Sequence, residues 1–326
     1  MATNKGLNNY VHVEGYFYDV GSGNNALTMK TVERKDSPNF GMNFFNGELL
    51  IATDEACTNI VSIHYTYEPE FRVNKETKEK TANKNFAAIK KLLNENKSVI
   101  AVGKDEATKL SINTSMTENA WYSAQNNEVR STARLEGGWI TTNVLLNPDE
   151  NERAVFEINA FLNTDAVKHI QHEDEDDTLR LHCGVFNFRN DISIVDFVGG
   201  SAQVDFFEDI VSDGPIFACL IGVLDFKNIE LTKTEEGAFG PVVRKISQKK
   251  KDYVITNVIN YDRHLEDGNP LNSENITKAI QDREVRLAAV KTNYEDYQAN
   301  KAASGTIFDT APAASTTGKE EVKFKF

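Results

Sequence analysis

The chain of 326 residues has 36 Lys and Arg against 49 Asp and Glu, a formal net charge of −13, and 40% of its residues are hydrophobic. These proportions are typical of a globular protein and exclude both wholesale disorder and a uniformly basic surface. No apolar stretch approaches the roughly 20 residues that span a bilayer, and the first residues do not resemble a secretory signal. The three cysteines are too scattered for a disulfide framework, so we expect a cytoplasmic protein.

Apolar and polar residues alternate through much of the first 146 residues, which predicts β-strands. After the third strand, four apolar residues from Phe86 to Leu93 recur at helical spacing, which predicts an amphipathic helix over Asn85–Asn94. The predicted strands are Tyr10–Val20, Glu48–Thr53, Asn59–Tyr67, Ser98–Gly103 and Val129–Thr142.

The same order returns after a polar break at Leu146–Glu152. The second set consists of strands Ala154–Asn163, Thr178–Phe188 and Ile192–Val198, a short helix Ala202–Val211, and strands Ile216–Leu231 and Tyr253–Tyr261. Five strands with a helix between the third and the fourth is the order of the OB-fold, although other small barrels and sandwiches show similar strand patterns. We predict a mainly β protein with two tandem OB-like five-stranded barrels, residues 1–146 and 153–268.

In residues 272–298, apolar residues recur at helical spacing and no Gly or Pro interrupts them. This pattern predicts one C-terminal amphipathic helix capped by Asn272 or Ser273. Docking of this helix on the second barrel is the favoured interpretation, and a short coiled-coil seam is the alternative. From residue 299 to 326 the composition cannot bury a core, so we expect a flexible tail. The tail carries Phe324 and Phe326, which are candidates for contacts with partner proteins.

The signatures of common enzymes are missing: there is no phosphate-binding loop, no nucleophile elbow and no zinc helix. We therefore expect neither catalysis nor a cofactor. His169, His172, His182 and Cys183 come nearest to a metal site. His182 and Cys183 are adjacent on a predicted strand, however, so their side chains point to opposite faces and one of them is expected in the core. We predict no metal site.

Aromatic and basic residues coincide with the positions that an OB-fold uses for single strands. There, bases stack on aromatic rings while Lys and Arg contact the phosphates. The alternative is that each ring belongs to the core and each basic cluster is a solvated loop.

The nucleic-acid-binding candidates fall into five groups along the chain. They are Lys30, Arg34 and Lys35 in the first 1–2 loop; Tyr65 and Tyr67 on the third strand; Arg72, Lys75 and Lys78 in a basic segment from 71 to 109 with ten basic and five acidic residues; Trp121 and Tyr122 in the first 4–5 connection; and Arg244, Lys245, Lys249, Lys250 and Lys251 in the second 4–5 connection.

The opening segment, with Asn4-Lys5 followed by Asn9–Tyr16, resembles the first strand of OB proteins that bind single-stranded DNA. In that family an Asn-containing start leads into alternating Val and Ile, and a glycine, here Gly15, bends the strand. The domain order also resembles that of some proteins of tailed bacteriophages, with two barrels, a basic segment, a helix and a loose tail. Those phage proteins are often assigned as single-strand binders. Such binders commonly end in an acidic tail that recruits replication partners, whereas this chain ends in Lys323-Phe324-Lys325-Phe326.

The leading hypothesis is therefore a phage-type protein that coats single-stranded DNA in replication or recombination, in the host cytoplasm and without catalysis. The sequence leaves three further possibilities open. The protein could also bind RNA, it could form a homo-oligomer, and its tail could bind replication or recombination proteins. The alternative is a virion or assembly protein whose β-domains bind proteins and whose helix oligomerises. An enzyme that uses His169, His172 and His182 is the third interpretation.

Overall fold

The computed structural model describes residues 7–74, 76–170, 178–187, 189–237, 240–262 and 272–303; for 228–249, 262 and 300–303 it describes only the backbone. The predicted mainly β class is confirmed, because most of the strands in this part of the chain join one large sheet. No helix in these ranges is both long and apolar enough to cross a membrane.

The first ring of strands closes on itself within the first half of the chain. Its five strands are β1 (Asn9–Val20), β3 (Asn43–Ala52), β4 (Ile60–Pro69), β7 (Lys109–Ser123) and β8 (Glu128–Thr142). β1 pairs with β3 and β7, β3 pairs with β4, and β4 runs parallel to β8, which completes the ring.

Several shorter elements decorate this ring. They are β2 (Thr28–Thr31), which pairs with β3; β5 (Phe71–Val73) and β6 (Lys80–Ala82), a separate two-stranded sheet; and helices α1 (Lys84–Glu95) and α2 (Val99–Val102). α1 lies where the apolar spacing predicts it, with Phe86, Ile89 and Leu92 buried, and Asn83 caps its first turn.

The second ring repeats the same connectivity. Its elements are β9 (Ala154–Leu162), β11 (Thr178–Phe186), β12 (Ile192–Gly200), helix α3 (Val204–Ser212), β13 (Ile216–Gly237) and β14 (Gly240–Asp262), with β10 (Val167–Ile170) beside β11. β9 pairs with β11 and β13, and β12 runs parallel to β14. The first strands of the two rings, β1 and β9, also pair with each other, so one sheet passes through both rings.

The predicted fourth strand, Ser98–Gly103, is wrong, because these residues form helix α2. The hydroxyl of Ser98 accepts a hydrogen bond from the amide of Ala101, and Gly103 ends the helix with a φ of 83°. A short apolar run fits either a strand or a helix turn, and here the serine cap favours the helix. The fourth strand is β7, which begins at Lys109.

The segment between the two rings is fixed by a buried arginine. Arg153, only 5% exposed, donates to the backbone oxygen of Asn147 over 2.6 Å and pairs with Glu55 of the first ring over 2.8 Å. Glu55 also accepts from the hydroxyl of Tyr16 and pairs with Lys104 over 2.9 Å. The predicted polar break at 146–152 is therefore anchored, and the domain limits at 146 and 153 stay a prediction.

Helix α4 (Ser273–Ala303) begins where Asn272 caps it, since the side chain of Asn272 accepts from the amide of Asn275 over 2.9 Å. Its first turns dock on the second ring, where Ile276 and Ala279 are buried with Phe161 and Phe217. Docking on the second ring is thus confirmed for this part. The helix continues to Ala303, beyond the predicted end at Gln298, because no Gly or Pro interrupts it before that point.

Both rings and α4 up to Glu284 belong to one compact unit. A second unit consists of Ala120–Arg130, at the tip of the β7–β8 hairpin, together with helix α4 from Val285 onward. Within the second unit the ring of Tyr122 lies 5.2 Å from that of Tyr294, centroid to centroid.

Candidate nucleic-acid interface

A basic residue and two aromatic rings form a row across three neighbouring strands of the first ring. Lys30 on β2 lies directly opposite Phe44 on β3 in the antiparallel register. The ring of Phe44 in turn lies 4.8 Å from that of Tyr67 on β4, centroid to centroid, with the two planes tilted by 41°. Directly opposed residues share one face of a sheet. We call Lys30, Phe44 and Tyr67 the stacking row.

The turn that leads into β3 borders the stacking row. The side-chain amide of Asn39 donates to the hydroxyl of Tyr67 over 3.3 Å, and the next residue, Phe40, leaves 56% of its surface exposed. Gly41 closes this turn with a φ of 77°, a conformation that favours glycine. Lys35, in the same connection, is exposed. Tyr67 itself is 41% exposed, so a planar group has access to the row.

Two predicted residues close to the row have partners within the protein. The guanidinium of Arg34 donates to both carboxylate oxygens of Asp36 over 2.7 Å, but both side chains are exposed, so the pair is weak and a phosphate contact by Arg34 stays a prediction. Tyr65 is 1% exposed, and its hydroxyl donates to the backbone oxygen of Gly138 over 3.3 Å. Burial raises the pKa of Tyr65. The prediction for Tyr65 is wrong, because it lies opposite Gly47 within the core, whereas Tyr67 lies past a register shift.

The predicted basic segment forms the small β5–β6 hairpin. Arg72 is exposed there and pairs with Glu68 over 3.6 Å. Lys78 is exposed in the turn, with a φ of 60°. Lys75 lies outside the described residues. Exposed ion pairs contribute little to stability, so Glu68 binds the guanidinium of Arg72 only weakly.

Trp121 and Tyr122 lie on strand β7, not in a loop, because the hairpin turn is confined to residues 124–127. Trp121 is 41% exposed. The hydroxyl of Tyr122 donates to Asn127 over 2.6 Å, and the ammonium of Lys291 lies 5.5 Å from the centre of its ring. Tyr122 is therefore used in packing within the second unit, while Trp121 presents part of its ring to solvent.

The second basic cluster also lies on a strand. β13 and β14 stay paired from Phe226 with Lys251 to Gly237 with Gly240, so the predicted connection from Arg244 to Lys251 is wrong. The side chains of Arg244, Lys245 and Lys249 lie outside the described residues. An extended ribbon replaces the loop because antiparallel pairing satisfies the backbone groups of both segments.

Lys250 and Lys251, at the base of this ribbon, differ in their contacts. A hydrogen bond to Asp252 over 2.9 Å, with Asp225 at 3.6 Å, raises the pKa of Lys250 and offsets its charge. The ammonium of Lys251 donates to the hydroxyl of Ser62 on β4 over 3.1 Å.

A cleft of about 270 Å³ opens on strands two and three of the second ring. Arg180 and His182 on β11 line it, together with Asp196 on β12, residues 131–133 of β8 and Lys251. A ring nitrogen of His182 lies 2.7 Å from a carboxylate oxygen of Asp196, and Arg180 lies 3.9 Å from the same carboxylate. The cleft thus presents hydrogen-bond donors and positive charge beside two acids, Asp196 and Asp252.

Comparison with known proteins gives the family. Residues 23–293 match the model of the YorF family. The chain belongs to the YorF family. No curated protein matches it significantly.

Among solved structures, this YorF chain is similar to a deletion mutant of the single-stranded DNA binding protein from Thermus aquaticus, at 12% identity and a TM-score of 0.45. That match covers 83% of this chain and all of the other. The wild-type protein from the same organism matches at 11% identity and a TM-score of 0.44, over 79% of this chain and 94% of its own.

The histidine and cysteine cluster does not come together as a metal site within the described residues. Cys183 is fully buried in the core, while His182 is exposed, as their adjacent positions predict. His169 lies on β10, and His172 is outside the described residues. The terminal Phe324 and Phe326 are also outside them, so their role in partner binding stays a prediction.

Arg180 and His182 were not among the predicted nucleic-acid contacts, although the alternation of apolar and polar residues around them indicates that they face outward. In the segment from Thr178 to Cys183, apolar residues alternate with polar ones, and Leu179, Leu181 and Cys183 are the buried set. The alternation puts Arg180 and His182 on the outer face of the second strand of the ring. That face is the one on which OB-folds bind oligonucleotides.

Proposed function

We propose that this protein binds single-stranded DNA, with bases stacked on Phe44 and Tyr67 and phosphates held by nearby lysines. The observation that carries the proposal is the register of β2, β3 and β4, which aligns Lys30, Phe44 and Tyr67 in one row. Aromatic rings beside ammonium groups bind single strands because each base has a stacking face and each phosphate a charge.

The position of the row within the fold supports the same function. β3 and β4 are the second and third strands of a closed five-stranded ring, and Lys35 and Phe40 lie in the connection between the first and the second. An OB-fold binds oligonucleotides on this pair of strands and on the neighbouring loops. The net charge of −13 restricts such binding to local basic sites, since the remaining surface repels phosphate.

We further propose that the protein acts without catalysis, as a phage-type coating protein for single strands in replication or recombination, in the cytoplasm of the host. Two resemblances support this role: that of the opening strand to OB proteins that bind single-stranded DNA, and that of the domain order to phage proteins often assigned as single-strand binders. A coating protein needs many weak, sequence-tolerant contacts, which stacking and phosphate neutralisation provide.

The test is a fluorescence anisotropy titration of labelled oligo-dT at low salt, with oligo-U and a duplex of equal length as competitors. We expect saturable binding that the duplex does not displace. Photocrosslinking with a halogenated oligonucleotide should then label peptides that contain Phe44 or Tyr67. Absence of binding at low salt, where counterion release is most favourable, would refute the proposal.

A second candidate function is assembly, with helix α4 as the contact between protein molecules. The observation that favours it is the exposure of apolar side chains on this helix: Val285 is 68% exposed and Tyr297 is 60% exposed. Sedimentation velocity distinguishes the two functions. A stable oligomer that is indifferent to oligo-dT supports assembly, and a species whose sedimentation shifts with oligo-dT supports strand binding.

A further inference from the structure

Lys251 belongs to the walls of two cavities at once. One is the 270 Å³ cleft on the second ring, which contains Arg180 and His182. The other, of about 140 Å³, is lined by Leu50 and Ser62 of the first ring together with Phe226 and lysines from the base of the β13–β14 ribbon. Both cavities lie within the same compact unit. Lys251 therefore stands at the junction between the binding faces of the two rings.

The side chain of Lys251 is held at this junction by the first ring. Its ammonium donates to the hydroxyl of Ser62 over 3.1 Å and lies 5.8 Å from the centre of the Phe226 ring, which is buried. Asn59, near the start of β4, fixes the adjacent strand: its side chain donates to the backbone oxygen of Leu224 over 2.9 Å and accepts from the amide of Phe226 over 2.7 Å. The second ring thus places a lysine on the outer face of the first.

The stacking row and Lys251 lie along the same strand. Tyr67 and Ser62 are both on β4, five residues apart, which corresponds to about 17 Å at a strand rise of about 3.3 Å per residue. His64 lies between them, and burial together with the nearby Arg134 lowers its pKa, so it is neutral at pH 7. Two carboxylates flank this path beside His64: Glu48 lies opposite it on β3 and Glu136 lies opposite it on β8.

We propose that one DNA strand runs from the stacking row along β4 to Lys251 and on into the cleft of the second ring, with a phosphate bound by Lys251. This inference rests on the proposed function and deepens it, because it makes both rings parts of one continuous site. The donors of Arg180 and His182 then bind the strand beyond Lys251. An oligonucleotide too short to extend from the stacking row to Lys251 does not contact this lysine.

The test compares two lengths of oligo-dT in Lys251→Gln, with Lys251→Arg as the charge-conserving variant and Lys90→Gln, an exposed lysine on α1, as the control. Single OB-folds occupy about 4–16 nucleotides, so roughly 4 nucleotides at the stacking row stop short of Lys251, whereas roughly 30 nucleotides extend across both rings. For the long oligonucleotide we expect Lys251→Gln to lower the log–log salt slope by about 0.7, the value for one phosphate contact. Lys251→Arg should restore the slope.

For the short oligonucleotide, held at the stacking row, the slope should be the same in Lys251→Gln and in the wild type. If the long oligonucleotide binds with an unchanged slope in Lys251→Gln, the continuous path is refuted and single-strand binding stands. If neither oligonucleotide binds the wild type, the proposed function itself fails.

Discussion

The rings of Phe44 and Tyr67 lie 4.8 Å apart, centroid to centroid, on neighbouring strands, and Tyr67 is 41% exposed. Replacing either residue with Ala removes a stacking surface, so we expect the affinity for oligo-dT to fall by about 1–3 kcal/mol per lost base contact. Trp139→Ala is the control, because Trp139 is 48% exposed on β8 and outside the row. Anisotropy titrations measure the affinity, and a loss of thermal stability with unchanged affinity would assign Phe44 to packing instead.

Lys30→Gln tests the charge of the row separately from its rings. Lys30 is exposed, and its ammonium donates to the neutral amide oxygen of Asn46 over 2.8 Å, so no acid offsets its charge in that bond. We expect the log–log salt slope of binding to fall by about 0.7, as for one lost phosphate contact. Lys250→Gln should change the slope less, because Asp252 and Asp225 already pair with that lysine. Equal slopes for Lys30→Gln and the wild type would contradict a phosphate contact at Lys30.

Trp121 and Tyr122 are adjacent but should respond differently to replacement. Trp121→Ala should change stability little, because the ring is 41% exposed. It should weaken oligo-dT binding, since Trp121 is a predicted base contact of the β7–β8 connection. Tyr122→Ala should increase amide hydrogen exchange of α4 around Tyr294, since it removes an aromatic contact worth about 0.5–1.5 kcal/mol. Exchange mass spectrometry measures this, with Tyr297→Ala as the exposed control. Unchanged exchange in Tyr122→Ala would show that the contact does not hold the helix.

The carboxylate of Glu55 gives the protein a predictable pH dependence. Hydrogen bonds from Lys104 and Arg153 lower the pKa of Glu55 from its usual 4.5 to about 2. A carboxylate with a depressed pKa stabilises the fold above the unfolded-state pKa, and this contribution is lost as the pH falls toward the folded-state pKa.

Glu55→Gln should therefore melt at a lower temperature than the wild type at pH 7, and the difference should shrink between about pH 4.5 and about pH 2. Because 43% of the Glu55 side chain is exposed, solvent screens part of the effect. Glu95→Gln, on the surface of α1, is the control. A difference in Tm that stays constant down to about pH 3 would mean that the charge of Glu55 is not the cause.

Gly15 is required where β1 passes between its partner strands. A Cβ at this position would collide with the backbone oxygen of Ala52 on β3, which cannot move independently of the ring. We expect Gly15→Ala to destabilise the protein by more than the roughly 1 kcal/mol of an average substitution, measured by urea unfolding. Gly200→Ala, where a Cβ would meet no atom within 4 Å, should be nearly neutral. Similar midpoints for the two variants would contradict a steric role for Gly15.

The sequence by itself determined the elements whose apolar period is long and unambiguous. Helix α1, the strands β9 and β12 and the opposite orientation of His182 and Cys183 follow from period and parity, which depend only on local backbone geometry. The order of strands and helices was sufficient for the mainly β class. It was insufficient at Ser98–Gly103, where a short apolar run fits two structures and a serine cap decides between them.

The tertiary structure alone decided which residues form the site. The alternation of residues along a strand indicates which face a side chain occupies, but it does not indicate which residue lies opposite on the next strand. A shift of one residue in the register between two strands moves every side chain to the other face. Lys30 therefore meets Phe44 only through the register of β2 and β3, and Tyr65 is buried while Tyr67 is exposed although they share a parity. Lys251 reaches Ser62, far away in the chain, because closing two rings on one sheet brings distant strands together.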